Sequence, residues 1–268
     1  MLEGIVLWLA KLGPRFHRAF IEGNRWKLYL KGLGATVEMT ALALCMGIVL
    51  GVLVAVIRTA HDQQRPGLQS SRYWIRYFLC RLFRLNPKRK PPYRNLLLGI
   101  TNWLCKVYTT ILRGTPMMVQ LLIWAFVIFK TSRNMIAVGV IGLGINSGAY
   151  VAEIVRGGLM SVDVGQSEAG RSLGLGYIDT MRFIIIPQAF KNILPSLGNE
   201  FITLFKDTSL VQAIGGAELA YYASTIGGNT FDYMPPYIGI AVMYLFIVIV
   251  LTWLQGKLER RLRQSDRR

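Results

Sequence analysis

Acidic residues are scarce in this sequence: 14 Asp and Glu stand against 31 Lys and Arg, which gives a formal net charge of +17. In a water-soluble protein, such an excess of cations is typical of nucleic-acid binding. Here, however, the Lys and Arg residues cluster between apolar runs and not along them. That arrangement is typical of membrane proteins, whose cytoplasmic loops collect positive charge. We therefore expect no nucleic-acid partner.

Histidine and cysteine are also too few and too scattered to form a metal or redox site. His17 and His61 lie in polar flanking segments, and Cys45, Cys80 and Cys105 have no close spacing. We expect no disulfide framework and no metal site. The sequence has no assignable Ser, His and acid constellation, and it lacks a Walker A loop. We therefore expect no enzyme activity and no cofactor in this chain.

Hydrophobic residues make up 53% of the chain and concentrate in long runs. A spanning helix needs about 20 mostly apolar residues. Three runs meet this length directly, and two more are interrupted, one by Arg113-Gly114-Thr115-Pro116 and one by Pro195 and charged residues. The sequence thus predicts an all-α membrane protein with about five transmembrane helices, at 33–57, 95–130, 136–160, 189–214 and 238–253.

Charge asymmetry predicts the orientation of these spans. The segment 58–94 holds ten Lys or Arg against Asp62 alone, and the tail after Gly256 is also basic. Both should be cytoplasmic, which places the N-terminus outside and the C-terminus inside when there are five spans. The N-terminal arm departs from this rule, because it carries six Lys or Arg. We give the two other basic regions more weight because together they outnumber it.

Two segments, 72–84 and 5–12, have patterns that suit a helix at the membrane surface. Between 72 and 84, aromatic and Leu residues are interleaved with four arginines, which suits an amphipathic helix on anionic headgroups and is equally compatible with a simple topology signal. The N-terminal run 5–12 is too short to span a bilayer and lacks a cleavage site. This favours an interfacial helix over a signal peptide.

The segment 161–187 is too polar to cross a membrane and too patterned to be a plain connector. Its core reads Glu168-Ala169-Gly170, then Gly174 after three residues, then Ile184, Ile186 and Pro187 after nine more. Gly174 can adopt the left-handed backbone at which one short helix turns into another. Gly170 should loosen the preceding helix by roughly 1 kcal/mol relative to Ala.

This spacing resembles the conserved loop of ABC importer permeases: Glu-Ala-Ala, three residues, Gly, nine residues, Ile, one residue, Leu-Pro. Gly170 replaces the second Ala of that pattern and Ile186 replaces its Leu. The resemblance covers about 32–261. Five further stretches resemble the polar amino-acid branch of the family: Arg113-Gly114-Thr115-Pro116, Asn146-Ser147-Gly148-Ala149-Tyr150, Pro187-Gln188-Ala189-Phe190, Gly198-Asn199-Glu200-Phe201 and Lys206-Asp207-Thr208-Ser209-Leu210.

The resemblance implies a type I importer permease core over 32–261, preceded by an N-terminal interfacial arm over 1–31. It leaves a basic cytoplasmic insertion at about 58–95 and a basic tail at 262–268. The segment 168–177 is expected to form a coupling helix seated in a groove of a separate ATPase. The docking residues implied by the resemblance are Glu168, Ala169, Gly170, Arg171, Gly174, Leu175 and Tyr177.

The resemblance also implies partners, a location and a function. The partners are two ATP-binding subunits that hold ATP and Mg, a second permease copy or a similar permease, an extracytoplasmic substrate-binding protein, the amino-acid substrate and membrane lipid. The location is the bacterial cytoplasmic membrane. The function is ATP-driven import of polar amino acids by alternating access. The alternative is an ion-coupled secondary transporter, although such folds usually show internal repeats, and none is visible here.

Ionisable residues inside a span are costly in hydrocarbon, so they mark candidate functional sites. In the fourth predicted span, Glu200, Thr203 and Asp207 fall on one helical face with Lys206 beside them. An amino acid is a zwitterion and needs both signs of charge. The resemblance places Glu200, Lys206, Asp207 and Thr208 on the translocation path. Alternatively, Lys206 pairs with Asp207 or extends to the outer surface.

The second and third predicted spans add further candidates. Thr115 is expected to cap a helix that begins at Pro116 and to leave free amides for a substrate carboxylate, although a kink that serves only packing fits equally well. Arg113 would meet phosphates or a partner acid instead. Asn146, Tyr150 and Glu153 share a face that lines either the path or a subunit interface. We expect Glu153 to pair with Arg156.

Overall fold

Helices form nearly all of the structure, a computed structural model that describes residues 12–63 and 96–264. Within these ranges there is no β-strand. The α-helices are α1 (12–20), α2 (Trp26–Gln63), α3 (Leu96–Gly114), α4 (Met117–Ile123), α5 (Met135–Met160), α6 (Val164–Ser172), α7 (Tyr177–Thr180), α8 (Ile186–Asp207), α9 (Leu219–Thr230) and α10 (Met234–Gln264). The predictions for 1–11, 64–95 and 265–268 lie outside the described residues.

Three helical stretches are long and apolar enough to cross a membrane: Glu22–Asp62, Met135–Met160 and Met234–Leu262. They correspond to the first, third and fifth predicted spans, and the first is longer than its predicted bounds. A fourth candidate is the pair Leu97–Gly114 and Met117–Ile128, which is bent by 109° at its break. The fourth predicted span forms α8 and a following 3-10 turn, Thr208–Ile214. It is not among the candidates by length and composition, so its crossing stays a prediction.

The two central helices, α2 and α5, pack against each other from Met39 to Arg58 of α2 and run in the same direction. A Cβ at Gly47 would lie 2.8 Å from Ser147 Oγ, and a Cβ at Gly51 would lie 2.6 Å from Val151 Cβ. Gly47 and Gly51 thus face Ser147 and Val151 in the same order, so the two helices are parallel. Glycine at these positions lets the two backbones approach closely. Parallel packing agrees with the prediction that these are the first and third spans.

The helix α8 packs antiparallel to α5. Ile193 of α8 lies against Gly158 near the end of α5, and Glu200 reaches Ser147 near its middle. Near the Ile193 contact, Ala189 and Ile193 form a buried apolar cluster with Val151 and other residues of α2 and α5. The helix α8 therefore connects the end of the molecule that bears the 161–187 loop, which we call the docking end, to the opposite end, which we call the far end.

The N-terminal segment is anchored at the far end. Phe20 stacks on Tyr29 with ring centroids 4.6 Å apart and packs against Gly239 of α10. Arg15 donates two hydrogen bonds to Asp232, from Nε at 2.6 Å and from Nη2 at 2.7 Å. The Arg15 guanidinium lowers the pKa of the Asp232 carboxyl. The predicted boundary between the arm and the permease core, at residue 31, falls inside α2.

Candidate functional site: the docking loop and the polar path

The docking helix α6 has a well-formed cap at each end. At its start, Asp163 Oδ1 accepts a hydrogen bond of 2.6 Å from the Gly165 amide. At its end, Gly174 has a φ of +79°, its amide donates to Arg171 O at 2.9 Å, and the Leu175 amide donates to Gly170 O at 3.0 Å. This is the Schellman arrangement, in which a left-handed residue closes the last turn. The predicted left-handed Gly174 is confirmed.

The expectation of one coupling helix over 168–177 is wrong in its bounds. The helix begins four residues earlier and ends at Ser172, because Gly174 reverses the chain. Tyr177, expected to lie in the same helix, begins the four-residue helix α7 instead. A π-helical turn, Met181–Ile185, then leads into α8.

Gly170 has a packing role that the sequence pattern did not reveal. It is buried, and a Cβ at this position would lie 2.9 Å from both Cγ2 and Oγ1 of Thr180 and 3.2 Å from Ile184 Cδ1. A glycine here lets the docking helix lie directly on the chain that returns to the membrane. The departure from the Ala of the family pattern therefore allows α6 to approach α7 and the π-turn closely.

The docking loop displays apolar side chains despite its polar composition. Leu173 is 79% exposed and Ile178 is 75% exposed, and Val164 and Tyr177 are exposed as well. Among the predicted docking residues, Glu168, Ala169, Arg171 and Gly174 are also exposed, whereas Leu175 is half-buried. Exposed apolar groups on a segment outside the predicted spans are typical of a protein interaction site.

The docking loop is tied to α8 by side-chain hydrogen bonds. Gln188 Nε2 donates to Gln166 Oε1 at 3.1 Å, and Asn192 Nδ2 donates to Ser161 Oγ at 2.8 Å. Next to the loop is a cavity of about 830 Å³, which Ala60 near the end of α2 lines together with Asp163 and other loop residues. The start of the basic insertion therefore lies beside the docking loop.

The predicted substrate face of α8 is only partly open. Glu200 is half-buried and accepts a hydrogen bond of 2.7 Å from Ser147 Oγ. Asp207 is half-buried, and Thr203 and Lys206 are exposed. Thr208, by contrast, is fully buried, and its hydroxyl donates to Phe205 O at 2.8 Å. The described neighbours Lys206 and Asp207 do not form an ion pair within 4.0 Å.

At the break in the second span, two amide side chains form hydrogen bonds with the backbone and with each other. Gln120 Nε2 donates to Leu112 O at 2.8 Å and to Thr115 Oγ1 at 2.7 Å. Asn146 Nδ2 of α5 donates to Leu112 O at 3.1 Å and to Gln120 Oε1 at 3.0 Å. These bonds satisfy carbonyl groups that the break removes from the helical ladder. They also place the break level with the middle of α5.

The prediction that Thr115 caps the following helix is wrong. Pro116, with φ −62° and ψ 133°, is the N-cap residue of α4, and no side chain caps that helix. The Thr115 hydroxyl instead donates to Ile111 O at 2.8 Å, one turn back in α3. The extended backbone of Pro116 directs the chain away from α3, so the hydroxyl of Thr115 remains with the earlier turn.

A single carboxylate joins three helices on the docking side of the break. Glu153 accepts from Arg156 Nη2 at 2.9 Å, which confirms the predicted pair, and from Arg58 of α2. Arg113 of α3 lies 3.9 Å from Glu153 Oε1, with its guanidinium carbon 5.4 Å from the Tyr150 ring centroid. Asn146, Tyr150 and Glu153 thus do share a face, and it faces α3.

Sequence reasoning missed three residues of this region: Ser147, Gln120 and Arg58. Gln120 carried a local signal, since it is the one amide side chain within 117–128. Ser147 carried none, because serine is common in membrane helices. Arg58 was counted only as a topology charge, and its partner lies 95 residues away in the sequence.

Comparisons with known proteins agree with this geometry. Residues 95–264 match the family described as binding-protein-dependent transport system inner membrane component. The arginine transport system permease protein ArtQ of Bacillus subtilis (strain 168) is 31% identical over 242 residues, which cover 88% of this chain and 93% of that protein. The L-cystine transport system permease protein TcyB of the same strain is 32% identical over 254 residues, which cover 94% of this chain and 93% of that protein.

A solved structure supports the same assignment. The crystal structure of an amino acid ABC transporter with histidines aligns with a TM-score of 0.70 and 34% identity, over 88% of this chain and 94% of that one. The family match includes the broken span, the docking loop and α8. The chain therefore belongs to the family of binding-protein-dependent transport system inner membrane components, the permease subunits of ABC importers.

Proposed function

We propose that this permease imports polar amino acids by alternating access, with ATP hydrolysis supplied by partner subunits. The observation that carries the proposal is the docking loop: a helix capped at both ends that displays Leu173 and its apolar neighbours outside the predicted spans. The relatives named for arginine and cystine transport support an amino acid as the cargo.

The ATPase partner is inferred from the exposed docking loop and from the missing phosphate-binding loop. The sequence has no phosphate-binding loop, so ATP and Mg are held by two ATP-binding subunits and not by this chain. The docking residues that face outward for this contact are Glu168, Ala169, Arg171, Gly174 and Tyr177. Gly170 and Leu175 support the docking helix from behind. Closing of the two ATPases would move α6, and through Gln166 and Gln188 it would move α8.

The docking end faces the cytoplasm of a bacterial cell and the far end faces outward. The last residues of α2 and of α10, after which the basic insertion and the basic tail follow in the sequence, lie at the docking end, in agreement with the positive-inside rule. The cationic N-terminal arm lies at the far end, where Asp232 neutralises Arg15. Asp232 thus offsets one of the positive charges of the N-terminal arm that argue against an external N-terminus.

The complete importer needs further partners. One chain with about five spans offers few helices to enclose a path, so a second copy or a similar permease pairs with it within the lipid bilayer. A substrate-binding protein delivers the amino acid to the far end; the family description, binding-protein-dependent transport system inner membrane component, supports such a partner.

The amino acid passes the polar face of α8. Glu200 and Asp207 offer negative charge to the ammonium group or to a basic side chain, and Lys206 offers positive charge at the far end. Thr203 is exposed on the same face and supplies a hydroxyl. Thr208 holds the end of α8 from the buried side, and Thr115 belongs to the break in the second span.

Reconstitution tests the function. Proteoliposomes that contain the permease, its ATPase and its binding protein should accumulate L-arginine, L-cystine or L-glutamine only when ATP is present inside and the binding protein outside. Liposomes without the ATPase provide the control. Uptake that is driven by an ion gradient in those control liposomes would contradict the proposal.

A further inference from the structure

We propose that Arg113 binds the α-carboxylate of the amino acid as it passes the break in the second span. This inference rests on the proposed function and adds to it the residue that recognises the group common to all amino acids. Arg113 is the last residue but one of α3, directly before the break.

The carboxylate nearest to Arg113 is already occupied. Glu153 accepts from Arg58 through Oε1 and from Arg156 through Oε2, with Arg156 Nε at 3.2 Å and Nη2 at 2.9 Å. Arg113 approaches the same carboxylate only to 3.9 Å. Three guanidinium groups therefore surround one carboxylate, and the cluster carries a net charge of +2. A cluster of this charge within a membrane protein favours the arrival of another anion.

The Arg113 side chain remains accessible. It is 44% exposed, whereas the side chains of Arg58 and Arg156 are 12% and 25% exposed. A guanidinium does not face hydrocarbon without a large cost in free energy, so this exposed part must face water, protein or a ligand. The insertion 64–95 contains no Asp or Glu and cannot supply the anion.

The surroundings of Arg113 hold it in place for a ligand. Its guanidinium lies over the ring of Tyr150, which limits its freedom without neutralising its charge. The nearby Leu112 carbonyl already accepts from Gln120 and Asn146. Arg113 therefore keeps donors for a planar carboxylate, which a guanidinium can bind through two parallel hydrogen bonds.

The position of Arg113 also suits a zwitterion. Tyr150, over which Arg113 lies, is three residues along α5 from Ser147, which bonds Glu200. Three residues correspond to about 4.5 Å of helix rise and to neighbouring faces. The two α5 residues that contact the cation and the anion, Tyr150 and Ser147, thus lie about one helical turn apart. Arg113 would recognise the invariant carboxylate, while α8 would select the side chain.

Ligands that differ only at the carboxylate test this assignment. The permease–ATPase complex in nanodiscs, without binding protein, is titrated by calorimetry with L-arginine, L-glutamine and the corresponding carboxamides, argininamide and glutaminamide. The wild type should bind each acid more tightly than its amide. Arg113→Gln should weaken binding of the acids by about 10- to 100-fold and leave the amides unchanged. The matched control is Arg133→Gln, which removes an exposed cation before α5 and should behave as wild type.

The outcomes separate this inference from the proposed function. If the wild type binds none of the four ligands, the proposed substrate class is wrong. If it binds them and Arg113→Gln keeps the wild-type ratio of acid to amide affinity, Arg113 serves only the Glu153 cluster and the inference is overturned. If Arg113→Gln does not assemble with the ATPase, Arg113→Lys replaces it. This variant keeps the charge but not the planar pair of donors, so its preference for the acid should fall, and an unchanged ratio overturns the inference.

Discussion

Ser147 donates a hydrogen bond of 2.7 Å to Glu200 and so joins the middle of α5 to the middle of α8. Ser147 is fully buried, and Glu200 is one of the ionisable residues predicted to line the path. The bond fixes the position of a carboxylate on the helix that also carries the docking loop. It therefore connects the candidate substrate face to the central pair of helices.

Ser147→Ala should weaken both the fold and transport. The substitution removes the donor but little volume, and a hydrogen bond to a charged group contributes about 1.5–3 kcal/mol. We expect a lower thermal unfolding midpoint in detergent and slower uptake in proteoliposomes. Thr225→Ala is the control, because Thr225 is exposed and bonds only within its own helix. Equal behaviour of the two variants would show that the bond contributes nothing.

Gly174→Ala should impair coupling between ATP hydrolysis and uptake. The φ of +79° at Gly174 is strained for any residue with a Cβ, at a cost of about 1 kcal/mol or more. The last turn of the docking helix would open. We expect fewer amino acids transported per ATP hydrolysed. Gly157→Ala is the matched control, since nothing lies within 4 Å of a Cβ there; an equal loss in both variants would contradict the prediction.

Leu173→Glu should release the ATPase without unfolding the permease. The side chain is 79% exposed, so the new carboxylate costs little in the isolated chain, but it would be buried in the complex. We expect loss of ATPase co-purification at an unchanged unfolding midpoint. Phe231→Glu, at the far end, is the control, because Phe231 is 95% exposed. Normal co-purification of the Leu173 variant would remove this residue from the interface.

Gly51→Ala should separate the central helices. A Cβ at Gly51 would lie 2.6 Å from Val151 Cβ and Cγ1, whereas nothing lies within 4 Å of a Cβ at Gly34 of the same helix. Overpacking of this kind costs about 1–3 kcal/mol. Gly34→Ala should be neutral or slightly stabilising, because alanine favours helix. The thermal unfolding midpoints of the two variants give the comparison, and similar values would refute tight packing at Gly51.

The Arg15–Asp232 pair should make anchoring of the N-terminal helix sensitive to acid. The pKa of Asp232 is lowered in the folded protein, so its contribution to stability is present above the ordinary Asp pKa of about 4. That contribution is lost as the pH falls through the lower folded pKa. We expect the difference in unfolding midpoint between wild type and Arg15→Gln to be constant above about pH 5 and to shrink below about pH 4. Arg133→Gln, which removes an exposed cation that does not contribute to the pKa of Asp232, should show no such trend.

Features that depend on residues close together in the sequence were predictable from it. Length and apolarity located the first, third and fifth spans, and the spacing around Gly174 located the docking loop and its left-handed turn. The pair of Glu153 with Arg156 was predictable because three residues on a helix place two side chains on one face.

Contacts between distant segments could not be predicted in the same way. Arg58 reaches Glu153 across 95 residues of sequence, and Arg15 reaches Asp232 across 217. Thr115 was misassigned because two adjacent residues, Thr115 and Pro116, both suit a helix start, and only the backbone angles decide between them. The burial of Thr208 depends on how the end of α8 packs, which one helix face does not reveal.

The π-turn Met181–Ile185 lies at the base of α8, between the docking helix and the polar face. A π-turn has fewer regular hydrogen bonds to resist bending than the α-helix that follows it. Glu200 lies about 22 Å along α8 from the end of this turn. Pivoting of α8 by about 10° at the turn would move Glu200 sideways by about 4 Å, which exceeds the length of its bond to Ser147. A small rotation imposed at the docking end is therefore sufficient to release this carboxylate in the middle of the protein.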